Sequence, residues 1–274
     1  MKKIMQSCLA MLSFLGITHY QKIITDKSEI KAIVFDLDGV LFTTSKKMYA
    51  GLIPYFPLYL AKRVFNGKNL HVKEHYLEII SQVKGKSTMK SFHQGKPMPQ
   101  IMVDWQTGTA VAETVNEHIK NDITLSYAEK KLMSAIARRV FDPKRFINSR
   151  TPIKQGVQLV KALKKAGYKV YVLSNWDAQS FSVLQKKYSD IMNLFDGVCT
   201  SGETGFLKPN PEIFHAFLEK FQLKAKECLF IDDEPHNIYG AESVGIRAIL
   251  FDAKKSSQAV QSLQEMDILK TAEQ

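Results

Sequence analysis

From Ile30 the chain runs into four apolar residues without a break, Ala32 to Phe35, then two acids one residue apart, Asp36 and Asp38, then Gly39. An unbroken apolar run of this length predicts a strand covered on both faces, as in a parallel sheet. Residues i and i+2 of an extended chain share a face, so both carboxylates can look into one cavity at the strand's carboxyl end. From Thr151 strand and helix signals alternate. Helices are expected over 156–166, stopping at Gly167, over 178–188 and over 212–221, with a further one ending at Gly245. Strands are expected over 168–173, 197–200, 228–231 and 247–251. Such alternation is the signature of a doubly wound parallel sheet.

Between these parts the rhythm is helical and irregular. Leu77, Ile80 and Val83 form a helix stripe, and helices are expected over 109–119 and 127–140. Ser126 and Glu129 have the spacing of a capping box. Residues 84–99 hold Gly85, Gly95, Pro97 and Pro99 among lysines and read as a mobile loop. The aromatic stretch 55–59 and Trp105 read as core, and His71, His75, His93 and His118 as surface residues. The expected fold is α/β, a doubly wound parallel sheet with an inserted α-helical cap. The sheet domain takes residues 30–43 and 151–274, the cap 44–150, and residues 1–29 form an N-terminal extension.

Charge sharpens that division. Of a net +11, residues 44–150 carry +10, from 18 Lys/Arg against 8 Asp/Glu. A basic insert suits anionic partners, and small phosphorylated metabolites are expected rather than nucleic acid. Cys199 and Cys228 lie in apolar strand-like runs and read as buried free thiols, and the three cysteines have no zinc-ligand spacing. Lys2 and Lys3 precede a mostly apolar stretch over 8–17, which resembles a secretory signal. Gln6, Ser7 and Ser13 dilute it, and an amphipathic helix at a membrane surface is the other reading. A cytoplasmic location is expected, with export or membrane association through residues 1–20 as the alternative.

Each core strand ends in polar residues suited to phosphate or a divalent cation. The first delivers Asp36 and Asp38, the second Ser174 and Asn175, a later one Asp232 and Asp233, and Lys208 lies in the loop before a helix. In a parallel sheet these ends share one edge. Four acids together repel, and Mg²⁺, a hard oxygen-preferring cation, would resolve that. A carboxylate nucleophile, a second acid for proton transfer and a lysine form a coherent phosphoryl-transfer site.

Asp36-x-Asp38-Gly39, Ser174-Asn175, Lys208-Pro209 and Asp232-Asp233 resemble the four motifs of the haloacid dehalogenase superfamily, over residues 30–43 and 151–252. The insert resembles the helical cap of phosphoglycolate-phosphatase-like members. The runs around Lys208 and Asp232 also resemble the phosphatase domain attached to mammalian soluble epoxide hydrolase. The resemblance implies Asp36 as nucleophile and Asp38 as proton donor and then base. It implies Mg²⁺ held by the Asp36 carboxylate, the Asp38 carbonyl and Asp233, with Asp232 acting directly or through water. Ser174 and Asn175 are expected to bind phosphate oxygens, Lys208 to offset charge, and Asn237 to orient the acidic loop. A phosphomutase or dehalogenase of the same superfamily, or a non-catalytic binding protein using the basic cap, are the alternatives. Asp38 favours phosphate over halide, because displacing halide needs no acid to protonate an alkoxide.

Overall fold

The computed structural model describes residues 30–45, 48, 52–57, 59, 72–83, 91–93 and 95–269. In chain order, β1 (Ala32–Phe35) and β2 (Phe42–Thr44) lead into α1 (Val72–Ser81), a small hairpin of β3 (Phe92–His93) and β4 (Lys96–Pro97), and α2 (Gln100–Gln106). Then come α3 (Ala112–Asn121), α4 (Tyr127–Val140), α5 (Pro143–Asn148) and β5 (Arg150–Pro152). The remainder is α6 (Lys154–Lys165), β6 (Lys169–Ser174), α7 (Ala178–Lys187), α8 (Ser189–Met192), β7 (Gly197–Thr200), α9 (Ser201–Thr204), α10 (Pro211–Phe221), β8 (Cys228–Asp232), α11 (Pro235–Ser243), β9 (Arg247–Leu250) and α12 (Ser256–Glu265).

The main sheet has the order β7-β6-β1-β8-β9, and every pair in it is parallel. β1 is central and wholly buried because its two sets of alternating side chains enter different cores. Ile33 and Phe35 join Val170, Val172, Leu229 and Ile231 beneath α6, α7 and α12, through Leu159, Leu163, Phe181, Leu184 and Leu263. Ala32 and Val34 face the other way, with Cys228 and Phe230, against Ile213, Phe214 and Phe217 of α10 and Ala241 of α11. Two covered faces explain why the strand shows no polar alternation. From β1 the chain builds β6 and β7 on one side, then crosses to β8 and β9 on the other. The order therefore reverses at β1, and the carboxyl ends of the strands beside such a reversal are where open sheets of this kind bind ligands.

The chain leaves the sheet after β2 and returns at β5, and these two strands pair antiparallel, with Thr44 opposite Arg150. The helices between them have their own core, including Tyr76, Ile80, Ile101, Val115, Ile119, Leu132, Met133 and Ile136. Ser126 caps α4 in a full capping box with Glu129. Trp105 packs edge-on against Phe141 and Phe146 and touches both cores.

Two expectations for this segment need correction. The stretch read as a loop over 84–99 carries the paired strands β3 and β4, joined Phe92 to Pro97 and His93 to Lys96; residues 84–90 lie outside the described residues. His93 is exposed as expected, but His75 and His118 are not simply surface groups. His75 Nδ1 lies 3.1 Å from the buried Tyr59 hydroxyl, and His118 Nε2 is buried without a hydrogen-bond partner. His71 and the segment 1–29, with its signal-like reading, lie outside the described residues. Cys199 and Cys228 are buried free thiols whose pKa burial pushes up to about 11 and about 12. Among the described residues no helix is long and apolar enough to cross a membrane.

Candidate active site

Asp36 continues the β1 ladder by one step, its N–H donating to the Ile231 carbonyl at 2.9 Å, which places its buried side chain beside the end of β8. The chain then turns tightly, with Gly39 N–H bonded to the Phe42 carbonyl at 2.7 Å. Gly39 has φ +86°, and a Cβ there would stand 2.0 Å from Asp233 Oδ2. Only glycine meets both demands. Lys208, 1% exposed, reaches in from the loop before α10, its Nζ 2.8 Å from Asp36 Oδ1 and 2.6 Å from Asp232 Oδ2. Burial alone would lower the pKa of this ammonium, but the two carboxylates outweigh it and hold the group charged.

Asn175 fixes the Lys208 loop from both ends of its amide. Its Oδ1 accepts the Lys208 N–H at 2.8 Å and its Nδ2 donates to the Lys208 carbonyl at 2.9 Å. The side chain expected to meet phosphate is thus first a clasp, with one amide hydrogen left over. Ser174 is buried at the end of β6, in register with Thr200.

Asp232 is saturated. Its Oδ1 accepts from Glu234 N–H at 2.8 Å and Asn237 Nδ2 at 3.0 Å; its Oδ2 accepts from Lys208 Nζ and, at 3.1 Å, from Asn237 Nδ2. Asn237 orients the acidic turn by this double bond. Asp36, Asp232 and Asp233 each bring a ligand oxygen within 4.8 Å of the others. Asp36 Oδ1 is buried, and its one partner there is the Lys208 ammonium at 2.8 Å. With all three carboxylates ionised, one ammonium leaves two negative charges uncompensated, and an all-oxygen donor set of this kind fits a hard divalent cation. The Asp38 carboxylate stands outside this triplet.

Removal from water, and the charges of Asp36, Asp232 and Asp38, push the Asp233 carboxyl up to about 8. Between its ordinary range near 4 and that value, the metal-free folded state holds a proton that the unfolded chain has released. Unfolding then releases a proton, so stability should fall as pH rises across that window and level off above it. Part of Asp233 faces solvent, so screening keeps the slope shallow. Melting the EDTA-treated protein from pH 5 to pH 8 should show this decline, reduced in Asp233→Asn and by saturating Mg²⁺. A melting temperature that rises over the same window in EDTA would contradict the assignment.

Arg150 is the partner that sequence patterning missed. Its Nη1 donates to Asp38 Oδ1 and to Thr44 Oγ1, both at 2.8 Å, while its guanidinium lies 4.3 Å from the centre of the Phe146 ring. The arginine side chain is 9% exposed and that of Asp38 39%. The contact follows from the β2–β5 register, which sets Arg150 opposite Thr44. Nothing local to the sequence marks it among the basic residues of 44–150.

Comparison with known proteins places the chain in a family and a fold. Residues 30–245 match the family described as haloacid dehalogenase-like hydrolase. The chain is 33% identical to the sesquiterpene phosphatase astK of Aspergillus oryzae over 88 residues, 32% of this chain and 44% of that protein. It is 30% identical to the pyrophosphatase PpaX of Bacillus mycoides over 92 residues, 34% of this chain and 42% of that one. The match thus spans less than half the length of these curated relatives. A HAD family enzyme from Bacteroides thetaiotaomicron shares the fold, with TM-score 0.54, 19% identity and 85% and 99% of the two chains covered. An L-2-haloacid dehalogenase from Xanthobacter autotrophicus does so at 0.51, 16% identity, and 86% and 82% coverage. With the family match covering most of its length, and three strand-end motifs and the Lys208 loop gathered on one sheet edge, this chain belongs to the haloacid dehalogenase-like hydrolases.

Proposed function

We propose that the chain is a Mg²⁺-dependent phosphomonoesterase working through an aspartyl-phosphate on Asp36. The observation that carries this reading is the placement of Asp36. It is a buried carboxylate held at the sheet switch point beside a fixed ammonium, with a second acid two residues on at the same mouth. A carboxylate oxygen of Asp36 forms the new bond to phosphorus as the ester P–O bond breaks, and Asp38 gives its proton to the departing oxygen. Asp38 then takes a proton from water, which attacks the phosphorus of the aspartyl-phosphate, frees inorganic phosphate and restores Asp36.

Lys208 offsets charge on the nucleophile and phosphoryl group, while Ser174 and the remaining amide hydrogen of Asn175 face phosphate oxygens. Asp36, Asp233 and the Asp38 carbonyl would hold Mg²⁺, with saturated Asp232 acting through water. The bound ion would supply neutralisation of the phosphoryl oxygens. Arg150 anchors Asp38 to the returning strand of the insert. Relatives named as phosphatase and pyrophosphatase, together with the retained Asp38, favour phosphate over halide. The basic insert points to a small ester carrying more than one negative charge, and no nucleic acid need be involved.

Phosphate release should be measured from p-nitrophenyl phosphate and a panel of sugar and nucleotide monophosphates, with Mg²⁺ and with EDTA. Release that EDTA abolishes and Mg²⁺ restores is expected. Release insensitive to EDTA would refute the metal-dependent mechanism. Phosphate moved between positions of a sugar without release would mean a mutase.

A further inference from the structure

Glu234 is a buried carboxylate of the acidic turn that also reaches a distant part of the chain. Its main-chain N–H donates to Asp232 Oδ1, so the residue is built into the acidic turn. Its side chain accepts the Gly95 N–H of the β3–β4 hairpin, at 3.1 Å to one oxygen and 3.2 Å to the other. His236 adds a second fastening: its Nδ1 lies 3.3 Å from Glu234 Oε1, and its ring stacks on Phe92 with centroids 3.7 Å apart and planes 5° from parallel. The hairpin and the turn are 139 residues apart in sequence. A carboxylate taken out of water must be met by donors, and here the hairpin's own backbone supplies one. His93, beside Phe92 in β3, lies within electrostatic reach of Asp38, Glu234 and Arg150.

We propose that Glu234 and His236 form a docking seat for the β3–β4 hairpin, holding the insert closed over the mouth of the site. Both are positioning residues. Glu234 ties the closed position of the insert to the turn that carries Asp232 and Asp233, through one residue's main chain and side chain. Closure therefore senses the acidic turn, and loosening the seat frees the hairpin without touching the sheet. The kinetic part of this proposal rests on the phosphomonoesterase reading; the structural part does not.

Amide hydrogen exchange at Gly95 reads the seat directly. In the full-length protein, Glu234→Ala and Phe92→Ala should each speed that exchange by about tenfold or more, the scale of a lost charge-assisted hydrogen bond. Amides of β1 and β8 should exchange as before. Glu234→Gln, which keeps an oxygen for the Gly95 N–H, should restore part of the protection. Phe92 is only partly buried and lies outside the sheet, so its variant tests the seat even if Glu234→Ala unfolds. With p-nitrophenyl phosphate the same variants should raise KM more than they lower kcat, because closure is what gathers the substrate's contacts. Unchanged Gly95 exchange in both variants sinks the seat, and faster exchange with unaltered kinetics overturns its role in closing the site. Faster exchange in a protein that never releases phosphate would uphold the seat and overturn the phosphatase reading instead.

Discussion

Asp36→Asn should reduce turnover by on the order of 10⁴-fold or more, the scale seen when a covalent nucleophile is removed, while leaving the protein folded. The amide has nearly the same shape but cannot form the aspartyl-phosphate, so no slower covalent route replaces it. Stability should hold or rise. Asp36 is one of three crowded carboxylates, and Lys208 keeps Asp232 as its partner when Asp36 is neutral. Thermal melting and phosphate release on one preparation separate the two effects. A variant that melts normally and turns over at the parent rate would remove Asp36 from the mechanism.

Lys208→Met should be the most damaging single change to the fold. It leaves the carboxylates of Asp36 and Asp232, with side chains 9% and 0% exposed, without the cation that compensates both. Breaking a buried pair from one side costs about 3–5 kcal/mol, which for a chain of this size is a melting temperature lower by roughly 10 °C. Activity should be lost as well, since the same ammonium faces the phosphoryl group in the proposed mechanism. Asp232→Asn in the Lys208→Met background should recover part of the stability, because it removes one stranded charge, but none of the activity. A double variant no more stable than the single one would show that the loss does not come from the buried charges.

Much of this architecture was legible in the amino-acid order because its signals are local. The apolar run 32–35 reads as a doubly covered strand, since β1 has a core on each face. Ser126 and Glu129 read as a cap because both partners lie within one helical turn. The acids, Ser174, Asn175 and Lys208 could be gathered from sequence because each follows a recognisable strand or precedes a recognisable helix, and a parallel sheet puts such ends on one edge. Their hydrogen-bonding duties could not. The clasp of Asn175 on Lys208 depends on which way a side chain turns once two loops meet, as does the saturation of Asp232.

The hairpin at 92–97 shows the limit from the other side. Two-residue strands carry no periodicity, and their order comes from a seat on Glu234 and His236 that lies far along the chain. Arg150 is similar: its meeting with Asp38 is set by the antiparallel register of β2 and β5, a pairing between strands on either side of the whole insert. The sequence alone determined the parallel sheet and the identity of the acids and the lysine, because patterns of burial and chain turning are written over a few neighbouring residues; the strand order that puts the reversal at β1 came from the tertiary structure. Only the tertiary structure decided which of those acids the lysine pairs, what holds Asp38, and how the insert is fastened down, because each depends on charges and donors brought together from remote parts of the chain.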